Sequence, residues 1–534
     1  MIRVRTTLGG AVSAPHHLAA ESGAAILREG GNAVEAMIAA AATIAVAYPH
    51  MNGIGGDGFW LIAAPGRAPL AVQACGPAAQ LATQAFYKGE GVSAIPARGP
   101  LAALTVPGAV AGWGEAAAIA AELGGATPFP RLLEDAIAYA REGVPTTESF
   151  AALSASKWDG LAASPGWAAQ FAPGGAPMKT GEVLRQPALA ATLSRIADAG
   201  VDDFYRGEAA RAVAAGLEAA GSPLRLGDFE RFAAARVAPL SISLQAGEVF
   251  NMPPPTQGIS SLMILGLFER LGVAQADGFD HVHGLVEATK RAFLLRNAHL
   301  GDPTTMPPDY PSWLEDAALS REAAAIDPAR AAPWPQEPRE GDTVWMGAAD
   351  RNGVVVSYIQ SVFWEFGSGV VAGETGVTLQ NRGASFTLTA EGAAPGPNAL
   401  APGRLPFHTL NPALARLKDG RTVAYGNMGG EGQPQSQAAV FSRAALFAQD
   451  AQAAITAPRW LLGRTWGDVT TSLKLESRFD PALVEALRRA GHDVEIVGAY
   501  DDAMGHAGWI ASRGPGAVIE GATDPRADGS VATC

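Results

Sequence analysis

Cysteine is almost missing from this chain. Cys75 and Cys534 are the only two in 534 residues, which excludes a disulfide framework or a multi-cysteine metal site and suits a reducing compartment. No long apolar run stands out either. The most apolar early stretch, Ala36 to Tyr48, is too short to cross a bilayer, and no apolar segment follows the arginines of MIRVR to make a secretory signal. A soluble, cytoplasmic protein with no membrane partner is expected. Charge is sparse at 17%, and 52 acids against 39 bases leave a net charge of −13. That balance argues against nucleic acid as a partner, although one local basic group can still hold a small anion. There is no Gly-x-Ser-x-Gly elbow, no His-Glu-x-x-His and no phosphate loop ending in Gly-Lys-Ser/Thr. His16-His17 has no further ligands at metal spacing, so neither a metal nor an organic cofactor is expected.

Hydrophobic residues, by contrast, make up 48% of the chain, and 63 glycines and 38 prolines are spread along it. This is the composition of a globular protein with a large core and many turns. The length allows two to four domains or one large layered unit.

His17 to Arg28 has helical spacing and stops at Gly30-Gly31; Asn32 can cap a second helix, Ala33 to Tyr48, that is apolar nearly all round. The loop HMNGIGGDG then opens the strand FWLIAA. A dinucleotide fingerprint follows a strand and opens a helix, so this order points instead to tight backbone packing. A helix follows the turn at Arg98, and Leu240 to Phe250 alternates as a strand. Further helices are expected after PPPTQG and from His281 to Leu295. Pro328 to Glu340 is proline-rich and charged and reads as an exposed connector. After it, VVVSYIQSVFWEF, GSGVV and GVTLQ read as sheet strands. Helices, then strands, then helices suit stacked layers better than a doubly wound sheet.

Between connector and strands lies GDTVWMGAAD, Gly341 to Asp350. A threonine hydroxyl is a poor nucleophile unless a base takes its proton, and a threonine made N-terminal carries such a base in its own α-amine. That amine titrates near pH ~8, so much of it is free base at neutral pH. A cut between Asp342 and Thr343 would create it. Taken alone, an Asp-Thr pair at a strand start is an ordinary structural feature.

Several longer stretches give it weight. GGNAVEAMIAAAATIAVAYPHMNGIGGDGF, VPGAVAGW, PPPTQG, FGSGVV with GETGVTLQN, LNPALARLKDGR, NMGGEG and APRW resemble, in order, the motifs of the γ-glutamyltranspeptidase family. The resemblance implies an α+β fold, the four-layer αββα sandwich of the N-terminal nucleophile hydrolases. It implies autoproteolysis into a large chain, 1–342, and a small chain, 343–534, together forming one unit; a homodimer of such pairs is left open. Thr343 takes the place of the nucleophile, with Asp350, Asn352 and Gly353 closing its segment. Gly429 and Gly430 match the glycines whose amides hold the oxyanion, and Ser361 matches a hydroxyl residue near the nucleophile.

The chain departs from the family where substrate is recognised. Gln73 stands where an arginine holds the α-carboxylate of a γ-glutamyl substrate, and a glutamine cannot replace a bidentate guanidinium. Phe363, Arg382 and Ser385 replace the set that holds the α-amino group, and His408 and Thr409 replace two serines. The expected pocket is small and cationic, narrowed by Phe363 and Trp345, with Arg382 and His408 facing an anion. For Arg382 the plain alternative is a surface salt bridge, for His408 a structural role and for Phe363 a core position.

With DTVWMG, QNRGASF, PFHTLNP and GGEGQPQ, the chain resembles the branch of the family that hydrolyses oxamate to oxalate and ammonia in purine-derived nitrogen catabolism. The expected partner is thus a small anionic amide. The alternatives are another acylase acting on γ-glutamyl amides such as glutathione, with transfer to an amine acceptor, or a non-catalytic binding protein that kept the fold.

Overall fold

The computed structural model describes residues 3–334, 342–390, 392–463 and 470–534. Its strands build two seven-stranded antiparallel sheets. The first runs Ser530–Thr533, Gly10–Ala14, Asp342–Asp350, Val355–Phe363, Asp57–Ala63, Leu70–Ala74 and Ala235–Val237. The second runs Arg5–Thr7, Ile519–Thr523, Ala507–Ser512, Thr422–Asn427, Ala413–Leu417, Gly247–Asn251 and Leu240–Leu244. Phe59, Leu61, Trp345, Val355, Ile359, Leu414, Ala424 and Ile510 fill the space between them. Helices cover both outer faces. Ala33–Ala47 lies against the first sheet, and Gly258–Arg270 and Gly432–Phe441 against the second. The result is the expected αββα sandwich. Among the described residues no helix is long and apolar enough to cross a membrane.

Local chemistry accounts for the elements around the site. Every residue of the Ala33–Ala47 helix is buried, because it packs against the sheet on one side and against helices His17–Arg28 and Phe129–Glu142 on others. Asn32 caps it in a capping box with Glu35. The glycine loop before Asp57 serves backbone packing as expected. A Cβ on Gly55 would strike the Thr378 carbonyl, and one on Gly56 the Ser361 carbonyl.

Three expectations need correction. Leu240 to Phe250 is a hairpin of two strands turning at Gln245 and Ala246, since alternation continues through a two-residue turn. GSGVV and GVTLQ are not sheet strands. They enclose the turn Gly373–Thr375 and share one isolated bridge, Val371 to Thr378, because positive φ at Phe366, Gly367, Gly369, Gly373 and Gly376 breaks any ladder. Trp345 does not narrow a pocket. It lies in the core between the sheets, where Gly426 and Gly508 leave room for its ring, and its Nε1 donates to Ser357 Oγ at 2.9 Å. Of the connector, Pro328 to Arg330 is exposed as expected, and 335–341 lie outside the described residues.

Candidate active site

Thr343 occupies the second position of an inner strand of the first sheet and is 1% exposed. Asp342 pairs with Phe363 and Val344 with Gln360, so Ser361 and Val362 together oppose Thr343 in a bulge of the neighbouring strand. Across this bulge Phe363 has a φ of +83°, costly for a residue with a Cβ. The Phe363 amide donates to Ser361 Oγ at 2.7 Å, so that hydroxyl braces the strained backbone. At the far end of the strand, Asp350 accepts from the amides of Asn352 (2.9 Å) and Val354 (3.1 Å) and from Ala33 (2.9 Å) at the start of the buried helix. This is why an acidic residue closes the segment: it fixes the turn and caps a neighbouring helix together.

The Gly429-Gly430 turn joins the Thr422–Asn427 strand to the Gly432–Phe441 helix, with φ of +117° and +48°. The Gly429 carbonyl accepts from Gly432 N at 2.7 Å, which fixes the peptide plane carrying the Gly430 amide. The Met428 carbonyl accepts from Asn427 Nδ2, which fixes the plane carrying the Gly429 amide. Buried Gln257 braces the turn from below. Its Nε2 donates at 2.8 Å to both the Gly430 and Thr409 carbonyls, and its Oε1 accepts from Arg296, which also pairs with Glu431 at 2.6 Å. The PPPTQG, PFHT and GGEG stretches are thus tied into one rigid block. Gln433, at the start of the helix, donates from Nε2 to Thr343 Oγ1 at 3.1 Å.

Arg382 opens a short 3-10 turn that Asn381 straps to the end of the Phe363 strand, accepting from Trp364 N at 3.0 Å and donating to the Ala97 carbonyl at 2.8 Å. Arg382 is fully buried, which rules out a surface salt bridge. Its guanidinium stacks 3.9 Å from the Phe363 ring centre and donates from Nη1 to Thr409 Oγ1 at 3.2 Å. Nε and Nη2 find no partner among the described residues. Burial draws its pKa down to about 9, with Asp57 and Cys75 opposing that fall.

Asp57, at the start of its strand, pairs in register with Ser361 and is also fully buried. Burial pushes its carboxyl up to about 7, against Arg382, Gln380 and the amides of Gly76 and Gly108, which favour the charged form. Its Oδ2 lies 3.1 Å from His408 Nε2, but neither atom completes a hydrogen bond among the described residues. Burial, then Arg382, holds His408 well below its ordinary range, so the ring is neutral and the contact is no ion pair at neutral pH. Arg382, Phe363, His408, Thr409 and Asp57 therefore form one buried polar cluster.

Two expected residues stand apart from it. The Ser385 hydroxyl donates to the Phe407 carbonyl at 3.3 Å and serves its own turn. Gln73 is half-buried and lines a separate cavity of about 310 Å³ with Cys75, Asp228, Arg231 and Phe232, of which Thr343 and Arg382 are not lining residues. Sequence reasoning missed Asp57, Gln257 and Gln433. A carboxylate opening the apolar run DGFWLIA was a signal for the first. The wholly buried helix GQPQSQAAVF, where amides could not sit without partners, became one for Gln433 only once its burial was known.

Among the described residues, His283, Glu287 and His492 could hold a metal, with ligand atoms within 4.8 Å of one another. Their atoms are already engaged. His283 meets His492 at 2.9 Å and the Asp327 carbonyl at 2.8 Å, while Glu287 accepts from Lys290 and Ala332 N. The cluster anchors the described end of the connector.

The comparisons with known proteins agree with this architecture. The family profile of gamma-glutamyltranspeptidase matches residues 19–534. The chain is 53% identical to an oxamate amidohydrolase proenzyme of Klebsiella pneumoniae, over 98% of each chain. It is 38% identical to a glutathione hydrolase-like proenzyme of Bacillus subtilis, over 97% of each. Among solved structures, a cephalosporin acylase from Bacillus halodurans superposes with a TM-score of 0.91 at 32% identity, covering 100% of this chain and 97% of that one. This chain belongs to the γ-glutamyltranspeptidase family, and with it to the amidohydrolases built on the N-terminal nucleophile sandwich.

Proposed function

We propose that the precursor cuts itself between Asp342 and Thr343, and that the mature protein hydrolyses oxamate to oxalate and ammonia. The α-amine of Thr343 takes the hydroxyl proton, the Oγ attacks the amide carbon, and the Gly429 and Gly430 amides hold the oxyanion. Such preorganised donors are worth roughly 3 kcal/mol each. The amine then passes the proton to the departing ammonia, and water hydrolyses the oxalyl ester. Arg382 holds the substrate carboxylate, with His408 and Thr409 beside it.

The observation that carries this reading is the buried Arg382 guanidinium, whose Nε and Nη2 find no partner among the described residues, beside the neutral His408. Two adjacent N–H groups in a dry site suit one carboxylate. The 53% identity to an oxamate amidohydrolase proenzyme supports the same choice. A γ-glutamyl donor such as glutathione carries an α-amino group, which a cationic guanidinium would repel. Oxamate as substrate fits a role in purine-derived nitrogen catabolism and a cytoplasmic location.

Ammonia release from oxamate by the mature protein, lost in Thr343→Ala, is the expected result. Hydrolysis of γ-glutamyl anilides without oxamate turnover would sink the substrate assignment. Intact-mass analysis should find chains ending at Asp342 and beginning at Thr343; an active single chain would remove the N-terminal threonine mechanism.

A further inference from the structure

The Gln433 amide touches the atom around which the reaction turns. Its Nε2 lies 3.1 Å from Thr343 Oγ1, and Gln433 is fully buried. The orientation of the amide is fixed: Oε1 accepts from the Asn411 backbone N–H at 3.3 Å, so the NH2 end must face the threonine. Asn411 is itself held, donating from Nδ2 to Ser261 Oγ at 2.9 Å and accepting from Gln437 Nε2 on its carbonyl (2.7 Å) and Oδ1 (2.8 Å). Gln437 lies one turn along the same helix as Gln433. The donor is thus aimed by buried, hydrogen-bonded neighbours and costs little reorganisation when charge develops.

A hydrogen-bond donor on a nucleophilic oxygen acts oppositely in the two halves of an acyl transfer. During attack it draws electron density from the oxygen and does not help. During deacylation the same oxygen is the leaving group, negative charge grows on it, and the donor stabilises that charge. We infer that Gln433 is a catalytic residue for the second half-reaction, stabilising Thr343 Oγ as it leaves the acyl carbon. This rests on the reading of Thr343 as nucleophile. In turnover, water adds to the oxalyl ester and gives a proton to the Thr343 α-amine. The C–Oγ bond breaks, the proton passes to Oγ, and oxalate departs. In maturation the ester formed by Asp342 on Oγ is hydrolysed likewise, leaving the Asp342 carboxyl and the free hydroxyl and amine of Thr343.

The test is Gln433→Leu, which keeps bulk and removes the donor. With oxamate it should release a rapid burst of ammonia equivalent to the enzyme, followed by steady turnover slowed about a hundredfold. Intact mass should find the oxalyl ester accumulated on the small chain, and KM should fall with kcat. A native kcat, or a slowed enzyme with neither burst nor ester, would overturn the assignment. If Gln433→Leu stays uncut, hydroxylamine should cleave it at Asp342 through the stalled ester, and a precursor inert to hydroxylamine would equally overturn it. Gln433→Asn, with a shorter amide, should recover part of the deacylation rate; no recovery relative to Gln433→Leu counts against a donor role. The Thr343 assignment fails separately, if Thr343→Ala still releases ammonia.

Discussion

At the scale of single residues, the proposed function makes Arg382 and Asp57 the groups that set the terms of binding. Losing a charge-assisted contact inside a dry site costs about 3 kcal/mol, so Arg382→Met should raise KM for oxamate about a hundredfold. It should not lower the melting temperature, because a buried guanidinium with two unpartnered N–H groups is itself costly and Asp57 can take up a proton in its absence. Asp57 also makes a pH prediction. While its carboxyl is protonated, Arg382 is the charge that meets an incoming anion; once ionised, it competes for the guanidinium. KM for oxamate should therefore rise as pH climbs through about 7, and Asp57→Asn should flatten that rise. Stability should follow the same group. Between the ordinary value of 3.8 and the folded value of about 7, the folded chain keeps a proton that the unfolded chain has released, so stability falls with rising pH across that window and levels off above it. Melting curves of the native protein and Asp57→Asn across this range check the slope.

At the scale of elements, Thr343, the proposed nucleophile, is positioned by a strand pinned at both ends. A bulge and the strained Phe363 bound one end, and the Asp350 carboxylate closes the other. Asp350→Ala strips the acceptor from the amides of Asn352, Val354 and Ala33 and should cost about 3 kcal/mol in chemical denaturation. Maturation should slow in the same variant, because the far end of the threonine strand is released; time courses of precursor cleavage by intact mass would show it. The Gln257, Arg296 and Glu431 network does the corresponding work beneath the glycine turn. It explains why PPPTQG and GGEG, far apart in the chain, serve one site.

At the scale of the molecule, a cut after Asp342 would divide the chain but not the fold. Residues after the cut supply three strands of the first sheet and four of the second, and those before it supply the other four and three. Both sheets and the core between them are shared. The two chains should therefore elute together in native size exclusion and part only in denaturant. A small chain that separates under native conditions would contradict this.

Much of this was legible in the sequence, and the division has a physical cause. Periodicity, caps and glycine placement are local, so helices such as His17–Arg28, the Asn32 cap and the strand after the glycine loop could be read directly. The resemblance of ordered motifs carried the layered architecture and the candidate nucleophile. Alternation alone could not reveal the hairpin turn at Gln245-Ala246 or the broken ladder after Phe363, because a period of two ignores φ. The site's chemistry was the least legible. Gln433 faces Thr343 across 90 positions, and Asp57 meets His408 across more than three hundred. Whether Gln73 joins them depends on which side of a strand faces which cavity. The sequence by itself determined the helices and caps around the site, the layered order and a threonine at the start of a strand. Only the tertiary structure decided which buried groups find partners and which keep theirs free, because burial and pairing arise when distant segments are brought together.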